Sequence, residues 1–252
     1  MRRLRIASIG VSAVVAAALS GAAAPASPQE HQQQAASEAQ HQHDHITPTA
    51  KKLNADFDAD AERAAQWFEI AGRAVYDKRF ELVDAIGLRP GMAVADIGAG
   101  SGLFSRLIAE RVGPTGSVYA VEISPTLVKH IAETAKAQKL MNVRAILGDP
   151  KSPRLADQSV DIVFIADSYH HFEFPRDMLR EIKKALKPDG LLMIVDFERI
   201  EGLSHPFVLD MVRAGKGTVI DEIRDAGFEA IEDIPMFDDE YVLKFKKREA
   251  LR

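Results

Sequence analysis

The chain of 252 residues contains no cysteine. Disulfides, thiolate zinc sites, iron–sulfur clusters and cysteine nucleophiles are thereby excluded. A surplus of positive charge is missing as well: 32 Lys and Arg stand against 37 Asp and Glu, a formal net charge of −5. A nucleic-acid partner, which calls for a basic face, is a poor match. The long apolar stretch near the N-terminus, Ile6 to Ala24, is alanine-rich and too short at its core to make a convincing membrane span. What is present, 46% hydrophobic and 27% charged residues, is the ordinary balance of a globular α/β domain with extras.

That apolar stretch suits a different role. Arg2, Arg3 and Arg5 precede it, and Ala24-Pro25-Ala26 offers a small-x-small cleavage site before Ser27. Residues 1–26 are therefore expected to be a cleaved secretory signal peptide, leaving a periplasmic or secreted protein with no stable membrane insertion. The pair Arg2-Arg3 raises a twin-arginine route. Removing these three arginines and no acids takes the net charge from −5 to −8. Residues 27–55, with the run HQQQAASEAQHQHDH, have no apolar period and read as a disordered Gln/His-rich linker. His41, His43 and His45 alternate within it and could bind a metal ion, but a polar tether is the preferred reading and no metal is assigned to the site.

Residues 56–252 form the expected folded domain. Trp67, Phe68 and Ala71, then Tyr76, Phe80 and Val83, recur at helical spacing and predict one or two amphipathic helices before the turn Arg89-Pro90-Gly91. Strands are then predicted at Met92–Ile97, Ser117–Val121, Val143–Leu147, Val160–Ala166 and Leu191–Val195, with helices at Leu103–Val112, Pro125–Gln138 and Pro175–Leu186 between them. The link from Pro150 to Gln158 is too short and polar for a helix. Pro188-Asp189-Gly190 marks a helix stop. Apolar strands alternating with helices imply a mostly parallel, doubly wound, Rossmann-like sheet covered on both faces. After a helix near Thr218–Ala226, the runs Phe228–Ile234 and Glu240–Lys247 are joined by too few residues for a crossover and must pair antiparallel, which brings the sheet to seven strands ending in a hairpin.

The first strand runs into Asp96-Ile-Gly-Ala-Gly-Ser-Gly102, a loop that puts an acid at the strand end and glycines at 98, 100 and 102. Such a loop lies where ligands bind in open α/β sheets, and its glycines permit sharp turns and close backbone approach. A dinucleotide fingerprint would need Gly or Ala at position 103, where Leu103 stands, and the charge of Asp96 would serve a pyrophosphate poorly. A ligand with a cationic portion fits better.

With this loop, the acids at successive strand ends and the terminal hairpin, residues from about Arg79 to Lys247 resemble a class I S-adenosylmethionine-dependent methyltransferase. The resemblance implies S-adenosyl-L-methionine as methyl donor. It places Asp96, Gly98, Gly100 and Gly102 in the donor loop. Glu122, 20 residues beyond Gly102, would take the ribose hydroxyls with Ile123 beside it. Asp149, in Gly148-Asp149-Pro150, would accept from the adenine amino group, and Asp167 would lie beside the methionine and methyl portions. Tyr76 and Arg79 are candidates for closing over the methionine end, with Arg79 on its carboxylate.

Methyl transfer asks mainly for an in-line approach in a dry pocket. A base is needed only where the acceptor must lose a proton. Candidates stand in Asp167–Phe172 and Asp196–Gly202, and Met211–Lys216 resembles a segment of exported relatives in which His would replace Met211. Tyr169, His170 and His171 follow the fourth strand, and because neighbouring side chains there cannot both face one way, one histidine is expected to point at the methyl group, His170 for preference. The acceptor is expected to be a small molecule. Two other readings stay open at this point: an NAD(P)-dependent oxidoreductase, and a non-catalytic protein of the same fold that binds the donor or its demethylated product.

Overall fold

The computed structural model describes Lys51, Asn54, Ala55 and residues 60–248, all within the unit Asp44–Arg252. The expected signal peptide, the His41/His43/His45 tract and most of the expected linker lie outside the described residues.

Three short helices come first: α1 (Ala61–Phe68), α2 (Ala74–Asp77) and α3 (Arg79–Ile86). An alternation follows: β1 (Ala93–Ile97), α4 (Leu103–Val112), β2 (Ser117–Glu122), α5 (Pro125–Ala137), β3 (Val143–Leu147), β4 (Val160–Ala166), a single 3₁₀ turn at Tyr169–His171, α6 (Pro175–Ala185) and β5 (Leu186–Phe197). The chain closes with α7 (Pro206–Met211), α8 (Lys216–Asp225), β6 (Phe228–Asp233) and β7 (Glu240–Lys247). The strand order is β3-β2-β1-β4-β5-β7-β6. The first five strands pair in parallel, while β7 runs antiparallel to both β5 and β6. This is the expected seven-stranded doubly wound sheet, with its hairpin threaded so that β7 lies inside β6.

Alternation along the central strands builds two cores, because successive side chains of a strand leave by opposite faces. Val94, Ile162, Phe164, Met193 and Val195 meet Leu82 and Ile86 of α3 and Ile108 of α4. Ala95, Ile97, Val163, Ile165, Leu192 and Ile194 meet Leu179 and Ile182 of α6 and Ile223 of α8. Each fully buried Leu or Ile contributes roughly 1.5–3 kcal/mol relative to an exposed one, so the parallel strands read as continuous apolar runs.

Three features differ from the sequence expectation. Trp67 and Phe80 are half exposed and Ala71 lies in a turn, because α1 buries its small face of Ala61 and Ala65 against Leu127 of α5. Close approach of helices selects the small residues and leaves the ring outside. Pro188-Asp189-Gly190 falls inside β5 rather than ending a helix, since the pairing of β4 with β5 jumps from Val160↔Leu186 to Ile162↔Leu191 and accommodates the turn as a bulge. Helix α7 was not anticipated. His205 caps it, with its Nδ1 accepting from the Phe207 N–H at 3.2 Å.

Candidate active site

A cleft opens across the C-terminal ends of β1 to β4, and its glycine loop is held from several sides. The Gly98 and Ala99 N–H groups both donate to Val121 O, at 2.9 and 3.0 Å, which pins the loop to β2. Gly98 has φ +75°, and a Cβ there would lie 2.5 Å from Ser168, whose hydroxyl donates to Gly98 O at 3.0 Å. Only glycine combines that backbone with that contact. At Gly100 the neighbour is the Phe68 ring, 3.0 Å from where a Cβ would stand.

Glu122 ends β2 and is already oriented. Its Oε2 accepts from the Gly100 N–H at 2.9 Å, and its Oε1 accepts from the N–H groups of Ile123 and Ser124 at 2.7 and 3.1 Å. A carboxylate fixed by three backbone donors is held in one orientation at the cleft. Asp96 lies beneath the loop and is 2% exposed, with the Ser105 hydroxyl donating to its Oδ2 at 2.6 Å. Burial pushes its carboxyl up to about 6, Ser105 opposing the rise and the charge of Glu122 adding to it.

Asp149 also borders the cleft. Its Oδ1 accepts from the Lys151 N–H at 2.9 Å and its Oδ2 from Arg154 Nε at 3.1 Å, and the backbone donor leads in holding its carboxyl below the usual range. Asp167, at the end of β4, has a left-handed backbone with φ +47°. Its Oδ2 pairs with Arg73 Nη2 at 2.5 Å, and its buried Oδ1 has no hydrogen-bond partner.

The turn after β4 distributes its three side chains among three surroundings. The Tyr169 hydroxyl donates to Glu222 Oε2 of α8 at 2.8 Å, and Arg213 clamps the same carboxylate at 2.6 and 2.8 Å. His170 is 4% exposed, with Nδ1 at 2.7 Å from Asp196 Oδ1 and its N–H donating to Asp196 Oδ2 at 3.0 Å. Burial works against its protonation, yet the Asp196 carboxylate prevails and raises its pKa. His171 borders the cleft, its ring 4.2 Å from that of His170. Burial, then the neighbouring His170 charge, push its pKa down to about 3.

The structure thus brings Asp96, Gly98, Gly100, Glu122, Ile123, Asp149, Asp167 and His171 to one cleft. Gly102 stands at the N-cap of α4, with φ +77°. Tyr169 and His170 do not border the cleft, which corrects the preference for His170. A 3₁₀ turn sends successive side chains about 120° apart, and two buried carboxylates claim the first two. The expectation for Tyr76 and Arg79 is also corrected. Arg79 stacks over the Tyr76 and Phe80 rings, 4.3 and 4.4 Å from their centres, away from the cleft. Arg73 borders the cleft instead, and with Phe68 and Asn54 it went unanticipated, since nothing local in the sequence marks a segment that folds back across the sheet. In Met211–Lys216, Arg213 serves the Tyr169–Glu222 contact.

The sequence profile of the family described as "Methyltransferase domain" matches residues 88–223. The ubiquinone/menaquinone biosynthesis C-methyltransferase UbiE of Ectopseudomonas mendocina is 32% identical over 123 residues, covering 48% of each chain. The nocamycin O-methyltransferase of Saccharothrix syringae is 27% identical over 181 residues, 61% of this chain and 65% of that one. The chain spans about half the length of the curated relatives it matches. In fold it is similar to an S-adenosylmethionine-dependent methyltransferase from Aquifex aeolicus, with a TM-score of 0.66, 24% identity, and coverage of 74% of this chain and 97% of that one. By the profile match over more than half its length, the chain belongs to the class I S-adenosylmethionine-dependent methyltransferase family.

Proposed function

We propose that the protein transfers a methyl group from S-adenosyl-L-methionine to a small-molecule acceptor by in-line displacement. The observation that carries this reading is Glu122, fixed by the Gly100, Ile123 and Ser124 N–H groups at the mouth of a glycine loop that leaves no room for a Cβ at Gly98. These residues fit the donor. The bare glycine backbone admits a close ligand, the oriented Glu122 carboxylate would accept from the ribose hydroxyls, and Asp149, also at the cleft, would accept from the adenine amino group. When bound, the donor supplies an electrophilic methyl on a sulfonium with a good leaving group. Leu103 and the buried acid Asp96 speak against a dinucleotide.

The protein's own part is to exclude water and to align the acceptor. Phe68 and Arg73 cover the loop from one side, and Asn54 Nδ2 reaches His171 O at 3.4 Å from the other. His171 is the acceptor-facing histidine in this reading. Held neutral, with a pKa near 3, it offers a hydrogen bond to the acceptor but is a weak proton acceptor, so alignment supplies most of the rate. The small-molecule acceptor is supported by the names of the two relatives above, one acting in quinone biosynthesis and one on nocamycin. We further propose export, on the strength of residues 1–26; N-terminal sequencing of the protein from its host should begin near Ser27, and an intact Met1 in the cytosolic fraction would overturn it. Calorimetry with S-adenosylmethionine, S-adenosylhomocysteine and NAD tests the donor. Binding of both sulfur nucleosides is expected, and binding of NAD alone would refute the reading.

A further inference from the structure

We propose that the Arg106–Glu69 bridge is a latch on the segment that covers the cleft, slowing both entry and exit of the donor and of its demethylated product while adding nothing to their affinity. The inference rests on the donor reading above and concerns passage into that site rather than the contacts within it.

Helix α1 is fixed along one side and meets the glycine loop at its end. Ala61 and Ala65 pack on Leu127 of α5, whereas Phe68, at the last position of the helix, lies with its ring against Gly100. Gly100 in turn donates to Glu122 Oε2 at 2.9 Å, so the ring bears on the residue that orients the carboxylate assigned to ribose. Phe68, Gly100 and Glu122 all border the cleft. A ligand seated on the loop lies behind this ring, and the end of α1 has to lift for it to pass.

Arg106 ties that helix end to the loop. From α4 its Nη1 donates to Ser101 O at 2.9 Å and its Nη2 to Glu69 Oε1 at 2.7 Å, and Glu69 is the C-cap of α1, directly after Phe68. One planar guanidinium thereby joins the backbone of the glycine loop to the helix that covers it. Its position is otherwise unfavourable. Arg106 is the fourth residue of α4, whose first turn holds no acid, and a cation near a helix N-terminus opposes the helix dipole. Glu69 supplies the compensating charge from a different element. The two side chains are 13% and 30% exposed, so their attraction is screened less than that of a fully exposed pair.

Neither Arg106 nor Glu69 borders the cleft, so neither is placed to touch a ligand. A contact that holds the cover down equally over a filled and an empty cleft favours the closed form equally in both, and equal stabilisation shifts no binding equilibrium. It slows passage in both directions by one factor. A direct contact to the ligand would act chiefly on exit, and a support for the site as a whole would act on affinity.

The test is the binding kinetics of S-adenosylhomocysteine, followed by stopped-flow fluorescence of Trp67, the single tryptophan, and by surface plasmon resonance, with affinity from calorimetry. Arg106 also holds Ser101 O and acts on Asp96, so the latch is opened from Glu69 instead. Glu69→Ala is expected to raise the association and dissociation rates together by about three- to tenfold, with affinity within about twofold of the wild type. Glu69→Gln, which keeps an acceptor for Arg106 without the charge, should fall between the two. Because S-adenosylhomocysteine is a zwitterion without net charge, added salt should speed both rates in the wild type through the bridge and leave Glu69→Ala unmoved. Rates that do not move, dissociation that quickens at an unchanged association rate, or affinity lost by more than about twofold overturn the latch while the donor reading stands. A wild type that does not bind S-adenosylhomocysteine removes both.

Discussion

At the ends of β1 to β3 the cleft is shaped by backbone: glycine N–H groups donate to Val121 O and to Glu122, and the partly buried Asp149 is tied to its own loop. At the ends of β4, β5 and β7 the surroundings are ionisable side chains taken from distant parts of the chain: Asp167 with Arg73, His170 with Asp196, Tyr169 with Glu222, and the buried Glu240. The first region has little to rearrange. The second holds several charges in low dielectric, where each depends on its partner. Burial pushes Glu240 up to about 9, so it is a neutral acid at physiological pH.

Breaking one charge in the second region should therefore cost more than altering a contact in the first. Asp196→Ala removes the acceptor of the Phe197 N–H and of two His170 contacts and leaves buried donors without partners, at a cost of about 3–5 kcal/mol by thermal or urea unfolding. A loss below about 1 kcal/mol would mean that the His170–Asp196 pair is not the keystone of this region. Next comes Gly98→Ala, which forces a Cβ against Ser168 at φ +75° and should cost about 2–4 kcal/mol together with most donor affinity. Glu122→Ala should weaken S-adenosylhomocysteine about tenfold in calorimetry, and unchanged affinity would remove the ribose assignment. Tyr169→Phe should cost only about 1 kcal/mol, because Arg213 still satisfies Glu222.

The last effect is one of pH. His171 has its folded pKa lowered from 6.5 to about 3. The unfolded chain then binds a proton that the folded one refuses, so its contribution makes stability decline as pH falls below about 6.5. Asp96 and Asp167, raised from 3.8 to about 6, act in the opposite sense, their penalty appearing as pH rises through that interval. Subtracting the pH profile of His171→Asn from that of the wild type isolates the histidine. The difference should grow between about pH 6.5 and pH 5, and a flat difference would refute the buried neutral imidazole.

The same division explains what could be read from sequence. The glycine loop, Glu122 and the strand ends are local: a few residues on one chain segment set both conformation and chemistry, and the strand predictions met the structure within a few residues except at β5. The β4–β5 region is assembled by tertiary contact. That His170 turns inward depends on Asp196, 26 residues away, and Tyr169 is anchored by Glu222, 53 residues away. Neither pairing leaves a periodic mark. Arg73 escaped notice because helical spacing pointed to Arg79, two positions beyond the short α2, and Trp67 was expected inside because periodicity cannot show how closely two helices approach.

The threading of the sheet has a consequence for how the protein forms. Strand β5 finds its second neighbour in β7, the last strand made, and β6 reaches the sheet only through β7. Until residues 240–247 have emerged, β5 presents an open apolar edge carrying Leu192 and Ile194, a template for pairing with other chains. Loss of even this one C-terminal strand should promote aggregation, and a folding factor that shields β5 during synthesis should raise the yield of the intact protein.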